Sequence, residues 1–200
     1  MKNASNKPKY LDPSHWDYFL KLEADFADTL RYIECCEANE AAFSTEFAKQ
    51  LVCICTECEA LIKKICKATD PKNPATNMGH YKRSTLKAFP GIHKAPVYLG
   101  RRRRTLHPFA DWHTTGGRLE WWNAYQDIKH HRDSNLEKAN LGNTLNALSA
   151  LLLLEIYLHA GIFANGTKEL YGTRLLRAPG MPRTTIEPAT DSLPNLPGHS

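Results

Sequence analysis

Two histidines stand side by side at positions 130 and 131, between Lys129 and Arg132, with Asp127 and Asn123 just upstream. At about 100° per residue in a helix, Asn123, Gln126, Asp127 and His130 fall on one side. His130 lies three residues beyond Asp127 and His131 lies four beyond it, both within side-chain reach. A carboxylate beside an imidazole fixes its tautomer and favours its protonated form, which suits acid–base work. Trp121, Trp122, Ala124, Tyr125 and Ile128 fall on the other side and would anchor the helix in a core. The same residues admit a plainer use. Cations and histidines at a helix C-terminus offset the negative end of its dipole while remaining solvated. The spacing leaves both readings open.

A second candidate is electrostatic. From His80 to Arg104 the chain carries eight Lys or Arg residues and no Asp or Glu, ending in Arg101, Arg102, Arg103 and Arg104. Four successive arginines in an extended stretch project to both faces, so they suit nucleic-acid phosphates. Tyr81, Phe89 and Tyr98 are interleaved and could stack on single-stranded bases. The competing reading is a strand whose arginines meet acidic residues of the first two helices.

The six cysteines pose the metal question. Cys55-x-x-Cys58 has half of a zinc spacing, and only Cys35 and Cys36 could complete it. Yet Leu51, Ile54, Cys55, Cys58, Leu61, Ile62, Ile65 and Cys66 share one helical stripe, where a thiol packs as a small apolar group. No metal and no cofactor are expected. With no secretory leader, a disulfide framework is not expected either.

Two hundred residues and a hydrophobic content of 42% suffice for one domain with appendages. No Walker loop, G-x-G-x-x-G or G-x-S-x-G occurs. The N-terminus lacks an apolar leader. The longest apolar stretch, residues 147–163, carries Ser149, Glu155 and His159 and is short for a membrane span. It reads as a core helix of a cytoplasmic protein that does not engage the membrane.

Those residues need elements to hold them. Periodicity predicts a helix from the Asp12-Pro13-Ser14 start to about Cys36, and a second from Ser44 to about Ala68. A short helix capped by Asn77 should span Met78 to Ala88. Two short strands around Gly100 form a hairpin, with Pro96 confining the first to an edge. The Trp-Trp helix ends near Arg132, and a last helix runs from about Leu136 to His159. The expected fold is therefore all-α, a four-helix-bundle-like core with a small irregular or β-hairpin insertion. Residues 1–13 form a flexible lead, 14–163 the helical domain with its insertion at about 70–116, and 164–200 a proline-rich, extended tail. Leu175, Leu176 and Met181 could dock that tail on the bundle or on a protein partner.

The order of two long amphipathic helices, a basic insertion, a helix ending in Lys-His and a leucine-rich helix resembles the HEPN superfamily. The local match is Trp121-Trp122-x-x-Tyr125-x-x-x-Lys129-His130-x-Arg132. The resemblance implies a homodimer of a type common in bacterial defence and toxin systems. It also implies metal-independent RNA cleavage, with His130 moving protons between the ribose 2′-OH and the phosphate. Lys129 and Arg132 are then the nearest cations, and Asn123 and Asp127 the orienting groups. The family motif places an arginine before the histidine with four to six residues between them. Here Asn123, Ala124 and Tyr125 fill those positions for His130, and none of residues 124–126 supplies one for His131. The resemblance thus favours a dimerising, RNA- or partner-binding module, with an endoribonuclease using His130 as the alternative.

Overall fold

The computed structural model describes residues 11–72, 77–100, 104–162, 166, 170–179 and 181. Among the described residues, five α-helices and a small antiparallel sheet make a mainly helical fold. Helix α1 spans Pro13–Thr29, with Asp12 accepting a hydrogen bond from the Ser14 N–H at 2.9 Å and proline in its first turn. It stops well short of Cys36. Asp25 and Asp28 crowd its C-terminal end, where negative charge opposes the dipole, and its last turn holds no basic residue. The chain tightens there into turns from Arg31 to Asp28 and from Tyr32 to Thr29.

Helix α2, Thr45–Thr69, is capped by Ser44, whose hydroxyl oxygen accepts from the Phe47 N–H. Its stripe from Leu51 to Cys66 is buried as the periodicity predicts, and the four cysteines of the helix, Cys53, Cys55, Cys58 and Cys66, are free thiols. Burial pushes the Cys55 and Cys58 thiols well above their ordinary range. Helix α3, Met78–Ala88, starts on Asn77, which accepts from the His80 N–H.

Helix α4 spans Glu120–His131 and α5 spans Leu141–Tyr157. The latter begins five residues later than periodicity suggests. Residues 139–141 pair with 42–44, through Ser44 N–H to Ala139 O and Leu141 N–H to Ala42 O, which holds that segment extended. Asn140 then caps the helix by accepting from the Asn143 N–H at 2.9 Å. Beyond Tyr157 the helix widens into a π-helical turn, Leu158–Ile162. This stretch is long and apolar enough to cross a membrane, but most of it is buried inside the protein's own core. It packs along α2, with α1 and α4 also against it, while α3 lies on α2.

The sheet joins β1 (Val97–Leu99), β2 (Arg104–Leu106) and β3 (Leu176–Arg177) in the order β2-β1-β3. Val97 pairs with Leu106, and Tyr98 pairs with Arg177. The expected hairpin is present, but β1 is the central strand rather than an edge. Pro96 precedes the strand, so no ladder N–H is missing and both sides are free to pair. The second neighbour comes from the C-terminal segment, where Leu176 is fully buried and Leu175 and Met181 pack against the core. A buried carboxylate fastens that segment. Glu23 of α1 accepts from the backbone N–H groups of Arg174, Leu175 and Leu176 at 2.7, 3.1 and 2.9 Å. Burial pushes Glu23 above the usual carboxylate range, against the pull of these three donors.

Candidate functional site

The aromatic face of α4 is seated as its spacing predicts. Trp121, Trp122, Tyr125 and Ile128 are buried, and the Trp121 indole N–H donates to the Pro108 carbonyl at 2.8 Å. Trp122 meets Tyr125 and Tyr81 edge to face. The turn ahead of the helix depends on Gly117: a Cβ there would fall 1.7 Å from the Asp111 carbonyl oxygen. Gly116 has a φ of 81°, a left-handed conformation that suits glycine.

The polar face does not assemble as one site. Asp127 bonds the Lys138 ammonium at 2.7 Å instead of orienting an imidazole. Lys138 lies on the turn leading into α5, a placement that helical spacing within α4 does not reveal. His130, His131 and Arg132 are exposed, with the two imidazole rings 6.4 Å apart. Lys129 donates to the Tyr125 hydroxyl at 3.2 Å. Asn123 instead lines a cleft of about 390 Å³ with Glu59, Tyr81, Arg118 and Lys129. Within it the Tyr81 hydroxyl donates to Glu59 at 3.1 Å.

His130, Lys129 and Arg132 do share a second, open groove with the first turns of α2, including Lys49, and with Asp133. Lys49 is paired with Glu46 at 2.8 Å. The arginine run divides. Arg101, Arg102 and Arg103 lie outside the described residues. Arg104 forms an ion pair with Glu40, which lies in the link between α1 and α2 rather than in either helix.

Sequence reasoning passed over another cluster. His15 of α1, Glu57 of α2 and Glu155 of α5 bring one ligand atom each to within 4.8 Å of one another. The His15 Nδ1 contacts Glu57 Oε1. His159, on the π-helical turn, places Nε2 3.5 Å from Glu155 Oε2. Glu155 is fully buried, and neither of its carboxylate oxygens has a hydrogen-bond partner. Burial pushes it above the usual carboxylate range, opposed by His159. The one signal in the sequence is Glu155-x-x-x-His159, an i, i+4 pair of ionisable residues following a run of four leucines. His15 and Glu57 look like ordinary surface residues until the helices pack. No protein-family model, curated protein or solved structure matches the chain.

Proposed function

We propose that the chain is a HEPN-like module of a bacterial defence or toxin system, with a four-helix-bundle-like core. In this reading it acts in the cytoplasm as a homodimer and binds RNA without cutting it. The observation that carries this is the groove at the end of α4, where Lys129, His130 and Arg132 stand together on an open surface. Exposed cations suit phosphate contacts, which need charge more than rigid geometry. Cleavage needs more: a held imidazole and a cation fixed at the developing phosphorane. Asp127, the carboxylate best spaced to hold His130, is engaged by Lys138. The motif arginine is replaced by Asn123, Ala124 or Tyr125.

The test is binding of single-stranded RNA to the full chain over a salt series, with chelator present. The double variant Lys129→Ser/Arg132→Ser should weaken binding. It should also flatten the slope of log affinity against log salt by about 0.7 per lost phosphate contact. An unchanged slope would remove the groove from RNA recognition. Chelator-resistant cleavage lost in His130→Ala, with folding intact, would replace this reading with the endoribonuclease.

A further inference from the structure

The cluster of His15, Glu57, Glu155 and His159 joins α1, α2 and the end of α5 around a buried carboxylate. We infer that it is a binding site for one divalent first-row transition-metal ion, of the Zn²⁺ class. The ligands are His15 Nδ1 and the carboxylates of Glu57 and Glu155, and His159 positions Glu155.

Three observations converge on this. The donor set is one imidazole and two carboxylates, a mixture that suits Zn²⁺, Fe²⁺ or Mn²⁺ better than an all-oxygen ion. Metal–ligand bonds of about 2.0–2.2 Å hold neighbouring ligand atoms about 3–4 Å apart. The three here already lie within 4.8 Å of one another, so small side-chain rotations would close the set. Glu155 has no exposed surface, and apart from the 3.5 Å approach of His159 neither oxygen has a hydrogen-bond partner, although a buried carboxylate otherwise requires them.

The surroundings fit as well. A doubly charged ion balances the two carboxylates. The side chains of His15 and Glu57 keep 19% and 13% of their surface exposed, which leaves an entry path from solvent. His159 lies on a π-helical turn, a local widening that often serves to aim a side chain at a site. Three protein ligands also leave a coordination position open.

The experiment uses the full chain, stripped with chelator and titrated with Co²⁺ and then Zn²⁺. Wild type should bind one Co²⁺ with visible d–d absorption and no thiolate charge-transfer band. Zn²⁺ should displace it and raise the melting temperature. Glu57→Gln and Glu155→Gln should each lose the Co²⁺ spectrum and the Zn²⁺-dependent melting shift. His159→Ala should weaken binding about 10–100-fold, as loss of a group that positions a ligand does. His130→Ala/His131→Ala should bind like wild type. Glu57→Gln alters a partly exposed residue, so it decides the matter should Glu155→Gln fail to fold. The inference is overturned if wild type binds no stoichiometric metal. It is equally overturned if binding survives Glu57→Gln, disappears in His130→Ala/His131→Ala, or shows thiolate ligation.

Discussion

Tyr81 shows how one side chain's surroundings set a property of the whole protein. It is 4% exposed, and its hydroxyl donates to Glu59. Burial first, and then the Glu59 charge, push its ionisation well above the ordinary range. In the unfolded chain tyrosine ionises near its ordinary value of about 10. Above that pH the unfolded chain holds fewer protons than the folded one, so stability falls as pH rises. The slope contributed by Tyr81 is at most about 1.4 kcal/mol per pH unit. Denaturant unfolding between about pH 9 and 11 should therefore show a flatter decline in Tyr81→Phe than in wild type. Identical slopes would mean that Tyr81 ionises freely in the fold.

At the scale of elements, two polar attachments do work that apolar packing cannot. Glu23 holds the segment carrying β3 through three backbone N–H groups. Glu23→Ala should cost about 3 kcal/mol, because buried donors lose a charged acceptor. Amide hydrogen exchange should then accelerate at 174–176 while α2 and α5 stay protected. Exchange unchanged at those amides would show that the β1–β3 pairing alone holds the segment. Asn140 performs the second attachment, capping α5 where the chain leaves its pairing with residues 42–44. Asn140→Ala should lower stability by about 1 kcal/mol, the usual worth of an N-cap. The native far-ultraviolet circular dichroism should be kept. A neutral substitution would place the helix start under the control of the Leu141–Ala42 hydrogen bond instead.

At the scale of the molecule, α5 is the axis on which the other helices depend. Leu145, Leu148, Leu151 and Leu152 are fully buried, with α2 along one side and α1 and α4 also in contact. Leu152→Asp should abolish cooperative unfolding, since an unpaired buried charge costs several kcal/mol, about the whole stability of a domain this size. A soluble Leu152→Asp protein with a sharp melting transition would contradict this placement. The same helix ends at a second place, after Glu23, where an ionisable group is buried. Glu155 and His159 are tolerated in the core because His15 and Glu57 come to meet them.

Much of the fold was legible in the chain because its signals are local. Ser44 and Asn77 announce α2 and α3 through caps that act over three residues. The thiols of Cys55, Cys58 and Cys66 belong to a packing stripe because helical period alone puts them there. The aromatic anchor of α4 follows from the same periodicity. The tertiary structure decided what depends on partners far along the chain. It took α4's carboxylate, Asp127, to Lys138 and Arg104 to Glu40. It made β1 a central strand by bringing in residues 176–177, and it set Glu23 against backbone some 150 residues away. It gathered His15, Glu57, Glu155 and His159 from three helices and a turn. Hydrophobic periodicity specifies which face of a helix turns inward. It carries no information on which isolated polar side chains will share a space once those faces meet, because that depends on crossing geometry and on the cost of leaving buried charge unpaired.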